Sequence, residues 1–288
     1  MNEIFNSRRF GKYLLSDIRN CSAGFGLNAI IISLMGLIIY LGTIGIGLIF
    51  KGTWEGPELG FRIATFCVAM FVLAVSMPVK CYGGITDKKM GTAWLTLPAS
   101  TEEKFLSMIL CTIFMVPITT GAAYLAIDAI ICSVDPSCGT SIFFACRNAI
   151  SALFNLALAS EADMINMPAL ANFINELNTP LLYIDDIIMV GLTFLAGAVC
   201  FKTSKTAKTI LAVIAYSIVS GIVTSPIISH YTMDIIHNMN LVETATDLNA
   251  LFNTWIFRHI ALLDTINDTL TNLALTGIIY LRIKTLKH

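Results

Sequence analysis

The apolar residues of this chain are gathered into long blocks with polar stretches between them. Six blocks approach or exceed the roughly 20 residues that a helix needs to cross the hydrocarbon layer. They run over about 27–50, 63–79, 105–127, 181–201, 210–228 and 260–281. The pattern predicts an all-α, polytopic membrane protein with six transmembrane helices and one membrane domain covering 1–288. Before the first block, Phe10, Tyr13, Leu14 and Ile18 recur at helical spacing, with Arg8, Arg9, Lys12 and Arg19 among them. That spacing predicts an N-terminal amphipathic helix within a cytosolic leader, 1–25, lying on an anionic membrane face. A disordered basic leader is the alternative. The first block is too long for a signal-peptide core and lacks a small-residue cleavage pattern, so it is expected to stay as a span.

Local punctuation sharpens this outline. Ser100 and Glu103 stand at capping-box spacing where the third block begins. Pro117 falls mid-block and is expected to kink that helix. Ser217, Gly221 and Ser225 repeat at four-residue intervals, a seam of small residues suited to close helix packing.

Composition agrees with the blocks: 56% of the 288 residues are hydrophobic and 13% are Asp, Glu, Lys or Arg, against about 25% charged in soluble domains. The placement of charge sets the topology, because cytosolic loops are enriched in Lys and Arg. With both termini inside (N-in/C-in), the cytosolic side holds four in the leader, four in the loop 80–104, three after the fourth block and three in the tail; Lys51, Arg62, Arg147 and Arg258 lie outside. The segments 132–180 and 230–258 are then external. The stretch from Ile142 to Leu158 is apolar enough to suggest a seventh span. Counting it as one leaves nine of the eighteen cations inside, which removes the bias. It also puts Arg147 into the bilayer at a cost of about 2.5–3.5 kcal/mol. It reads instead as an external interfacial or re-entrant helix. Of the eight cysteines, none forms a CxxC pair; Cys138 and Cys146 fall outside, free or bonded to each other.

The chemistry-bearing motifs are sparse. There is no GxxxxGK[ST] loop for nucleotide, no HExxH zinc motif and no GxSxG elbow. His230, His237 and His259 lack ligand spacing and read as surface residues. Asp185 and Asp264 lack the GxGD surroundings of intramembrane aspartyl proteases. The chain is therefore expected not to be an enzyme, and to have no metal site, no cofactor and no nucleic-acid partner; its basic clusters flank spans and meet membrane lipid. Two features stand out. The loop 80–104 carries Trp94, Leu95, Leu97 and Pro98 among charges and ends in the capped helix start. An exposed Trp94 there would serve either as a protein-docking anchor or as a headgroup anchor. In the sixth block, Asp264, Asn267, Asp268, Thr271 and Asn272 form one polar stripe. Only Leu273 to Leu281 remains uninterrupted, about 13 Å of rise. The stripe either lines an intramembrane path or sits in external water.

The run Leu97-Pro98-Ala99-Ser100 followed by Glu103-Lys104-Phe105 resembles the loop of bacterial ABC-2-type permease subunits, and the basic leader and six-span plan are similar to that family. The close resemblance covers roughly 20 residues, and nothing beyond the third block matches. It implies a multi-pass permease of the bacterial inner (cytoplasmic) membrane that takes part in ATP-driven transport. A separate P-loop ATPase subunit would bind ATP and dock on Trp94, Leu95, Leu97, Pro98, Ser100 and Glu103. A second permease copy or paralogue would complete the transporter. The alternative is a non-transporting membrane scaffold or accessory subunit that binds partner proteins. A secondary transporter ranks below both, because the second half has no counterpart to Pro117.

Overall fold

A computed structural model describes residues 5–87, 96–147, 180–239 and 255–286, with Gly91, Thr92 and Trp94 from the intervening loop. Among these residues there are six long helices and no strand. We label them α1 (Ser7–Phe50), α2 (Leu59–Tyr82), α3 (Thr101–Val134), α4 (Pro180–Cys200), α5 (Lys205–Met239) and α6 (Trp255–Thr285). Four described stretches are long and apolar enough to cross a membrane: α1, α2 with its following turn to Thr86, α3, and α5 as far as Ile222. Their outer faces are apolar to a degree that water would not tolerate, with Ile49 79% and Phe50 81% exposed. The chain thus has the character of a multi-pass membrane protein.

The helices fall into two compact groups. The first holds residues 1–147, 190–206 and 274–288, and the second holds 148–189 and 207–273. In the first group, α1 and α3 pack directly on each other and run parallel, since Asp17 and Tyr40 of α1 bond to Ser107 and Asp135 respectively, with α2 antiparallel to both. Close packing rests on Gly36, where an added Cβ would stand 3.0 Å from the Tyr124 ring. That ring also meets Phe66 at a 58° tilt with centroids 5.1 Å apart, and its hydroxyl lies 3.2 Å from Thr65 Oγ1. The last turns of α4 are the most enclosed part of the group; Leu195, Ala198 and Val199 are fully buried.

One expectation changes here. The leader is not a separate surface helix. It forms the first turns of α1, which runs unbroken for 44 residues from an Asn6 cap whose Oδ1 accepts from the Arg8 and Arg9 amides. At about 1.5 Å per residue this is about 66 Å, twice the hydrocarbon thickness. Asp17, Cys21 and Phe25 are buried against the rest of the group and carry the helix through the expected boundary. Pro117 is accommodated by a widened turn. Leu110–Met115 is π-helical, and the Val116 amide donates five residues back to Cys111 O. The register has already shifted when the proline, which has no N–H, arrives.

Ile142 opens a helical segment described to Arg147; the remainder of Ile142–Leu158 lies outside the described residues. Most of the segments 132–180 and 230–258 lies outside them as well, apart from the helical margins of α5 and α6.

Candidate functional site: the basic end and the polar stripe

The capping box forms as its spacing predicts. Ser100 Oγ accepts from the Glu103 amide at 3.3 Å, and Glu103 Oε2 accepts from the Ser100 amide at 3.0 Å. Glu103 does more than cap. It is fully buried and accepts from the Asn6 amide at 2.9 Å. Arg9 donates to it through Nε at 2.8 Å and Nη2 at 2.7 Å. One carboxylate thus fastens the start of α3 to the start of α1. Two turns further along, Asp17 accepts from Ser107 Oγ at 2.6 Å and from the Tyr82 hydroxyl at 3.0 Å, adding the end of α2 to the same junction.

The loop between α2 and α3 sits on this junction. Trp94 is half-buried, not exposed as an anchor. The Lys104 ammonium lies 4.7 Å from its ring centroid and donates to its carbonyl at 2.9 Å. The cation–π contact lets a cation that is only 4% exposed keep favourable surroundings. Leu97 is half-buried, while Thr96, Pro98 and Glu102 are exposed; Leu95 lies outside the described residues. Of the residues expected to face a partner, Glu103 is committed internally, and the outward face is centred on Pro98. Below the loop, the Lys205 ammonium donates to Gly83 O and stands 3.8 Å from Asp87. Thr86 Oγ1 donates to Phe201 O at 3.3 Å. Phe105 meets Tyr280 edge to face at 5.4 Å. The start of α1, the α2–α3 loop, the α4–α5 turn and the last turns of α6 therefore share one end of the first group.

The opposite end holds a cluster that sequence reasoning missed. Arg62 and Asp128 form an ion pair at 3.3 Å with both side chains 6% exposed. The guanidinium also donates to Cys138 O at 2.8 Å and Thr140 O at 2.6 Å, and Asp128 accepts from the Ile142 amide at 2.7 Å. Beside it Asp135 accepts from the Tyr40 hydroxyl at 2.8 Å, Trp54 Nε1 at 3.0 Å and the Ser137 amide at 2.9 Å. Hydrogen bonds from Ser137, Trp54 and Tyr40 hold its carboxyl down at about 2. Cys138 is buried and Cys146 exposed, and both are unbonded. The signal available in the sequence was two opposite charges at the same end of neighbouring antiparallel blocks.

In the second group, the stripe of α6 divides. Asp268 is buried, Thr271 and Asn272 are half-buried, and Asn267 is exposed. Asn272 Nδ2 donates to Asp185 O at 3.3 Å, and Asn267 Nδ2 lies 3.4 Å from Asp268 Oδ1. The Asp264 side chain lies outside the described residues, as do those of His230, His237 and His259. Ser217, Gly221 and Ser225 are exposed on α5; Ser217 Oγ bonds back to Val213 O, and an added Cβ at Gly221 meets nothing within 4 Å. Comparison with family models, with curated proteins and with solved structures finds no match to this chain.

Proposed function

We propose that the chain is the permease subunit of an ABC-2-type, ATP-binding-cassette transporter, crossing the bacterial inner membrane six times with both termini in the cytosol. The observation that carries this reading is the shared end of the first group. Of the fourteen cations that the positive-inside rule assigns to the cytosol, ten described ones belong to this group: Arg8, Arg9, Lys12, Arg19, Lys80, Lys104, Lys202, Lys205, Arg282 and Lys284. A separate P-loop ATPase subunit, which binds the ATP, meets the loop at Thr96, Leu97, Pro98 and Glu102. Trp94 and Lys104 support the loop from behind. Movement of the loop passes into α3 through the capping box and into α1 through Glu103 and Arg9. A second permease copy or paralogue packs along Ser217, Gly221 and Ser225. The route for substrate follows the stripe of α6, on which Asp268 is buried and Asn267 exposed.

Two measurements test this. In a Cys67→Ser, Cys146→Ser background, Lys88→Cys, Lys202→Cys and His288→Cys are expected to be shielded from an impermeant thiol reagent in intact cells, while Glu58→Cys, Glu161→Cys and Glu243→Cys react. Labelling of Lys202→Cys together with protection of Glu161→Cys overturns the topology. Where a P-loop ATPase is encoded beside this chain, their co-expression is expected to yield a complex that Leu97→Asp dissociates. A chain that stays in the membrane and never retains an ATPase favours the scaffold or accessory reading.

A further inference from the structure

Three buried carboxylates tie helices of the first group together, and they are satisfied in different ways. Glu103 is met by Arg9, and Asp128 by Arg62. Asp17, 8% exposed, has no such partner. Among the described residues no cation lies within ion-pair distance of it. The cations of the neighbouring turns are turned elsewhere: Arg9 to Glu103, Lys104 to the ring and carbonyl of Trp94, while Lys80 is exposed.

What faces Asp17 is a set of hydroxyls and thiols from all three helices. On α1, Tyr13 and Cys21 stand one turn to either side. From α2 the Tyr82 hydroxyl donates to Oδ2 at 3.0 Å and lies 3.6 Å from Cys21 Sγ. From α3 the Ser107 hydroxyl donates to the same oxygen at 2.6 Å, and Cys111 follows one turn on, within the field of Asp17. Both donors thus fall on Oδ2, and no donor among the described residues is paired with Oδ1. An ionised carboxylate accepts on both oxygens; a protonated one has a carbonyl oxygen that accepts and an O–H that donates. The one-sided arrangement matches the second form. The position agrees with it. Ser107 belongs to the third apolar block and Tyr82 stands just past the second, so the carboxyl lies at the edge of the hydrocarbon. A charge there, without a cation or a full set of donors, is disfavoured against its neutral form.

We infer that Asp17 binds a proton, and that this proton holds the end of α2 against α1 and α3. With it, Oδ1 carries the O–H and Oδ2 keeps both donors. Without it, an unpaired charge remains in the junction and is relieved as Tyr82 withdraws and water enters. Because α2 ends at Tyr82, the state of this one carboxyl sets how firmly the base of the α2–α3 loop is held.

The experiment uses the full chain in nanodiscs. At pH 6, an infrared difference between the parent and Asp17→Asn is expected to show the carbonyl stretch of a protonated carboxyl, lost in the variant. Tyr82→Phe is expected to move this band to higher frequency, because the carbonyl oxygen loses a donor; a purely structural role for Asp17 moves nothing. No protonated band lost in Asp17→Asn means that Asp17 is ionised, and overturns the proposal. Asp17→Asn keeps the size and the acceptor oxygen and is expected to fold. Should it not, the Tyr82→Phe shift decides, and an unmoved band overturns the proposal. Stability gives a second reading. The folded chain holds a proton that the unfolded chain, with the carboxyl at its ordinary value of about 3.9, has released. The stability this proton brings is complete below that value and is lost as pH rises. Between pH 5 and 7 the folding constant of the parent, relative to Asp17→Asn, is expected to fall about tenfold per unit. Parallel curves overturn the proposal. Neither reading involves an ATPase or the side of the membrane, so both stand apart from the tests of the transporter reading.

Discussion

The two ends of the first helical group are each locked by an arginine against a carboxylate, and the locks do different things. At the far end Arg62 and Asp128 hold each other between α2 and α3; Arg62 also donates to Cys138 O and Thr140 O, and Asp128 accepts from the Ile142 amide. The loop is drawn into the helices and closed. At the basic end Arg9 and Glu103 join α1 to α3 and grip only the base of the loop; Thr96 and Pro98 remain outside, with the cations of α1 beside them. A buried pair that satisfies a loop's backbone makes a sealed end. One that satisfies only helix termini leaves a surface to present.

The contrast can be broken most severely at Arg62. Arg62→Ala leaves Asp128 buried without its partner and is expected to cost about 3–5 kcal/mol, read as a fall in melting temperature in detergent. A loss under 1 kcal/mol would mean that the sealed end is wet. At the basic end the corresponding change is milder. Ser100→Ala removes the cap and is expected to cost about 1 kcal/mol, and Glu103→Ala also frees the start of α1, so limited proteolysis before Cys21 should accelerate. If cleavage is unchanged, the carboxylate is not what holds α1 there.

Acidification probes the sealed end more gently. The Asp135 carboxyl is held at about 2 by its hydrogen bonds from Ser137, Trp54 and Tyr40, below the ordinary value of about 3.9. Its contribution to stability is therefore complete above the ordinary value and is lost as pH falls from about 4 through about 2. Trp54 fluorescence should change over that window in the parent and stay flat in Asp135→Asn; parallel curves would place the titration elsewhere. Smallest in stability is Pro98→Ala, expected within about 0.5 kcal/mol because the side chain is exposed. Any loss of ATPase binding by that variant would then belong to the surface itself.

What the sequence made legible was what depends on neighbours along the chain. Ser100 and Glu103 are three residues apart, so their reciprocal bonds could be read directly. The long apolar blocks and the cations between them could also be read, because the membrane acts on each helix separately. Trp94 was misjudged as exposed because its cover comes from Lys104, ten residues away and on another element. The Arg62–Asp128 pair spans 66 positions, and no local pattern announces it. The leader was cut from α1 near Gly24 and Gly26, where local propensity falters. Burial of Asp17, Cys21 and Phe25 against the other helices overrides that weakness.

The continuity of α1 also has a mechanical meaning. Its residues Arg9 and Tyr40 are fixed at the two locks, to Glu103 and to Asp135, 31 positions apart along unbroken helix, about 46 Å. A helix with no proline in that interval behaves as a stiff strut. A push delivered at its Arg9 end cannot be absorbed by bending midway. It must emerge as tilt or as sliding, and either one strains the Tyr40 hydroxyl against Asp135 at the opposite end of the group.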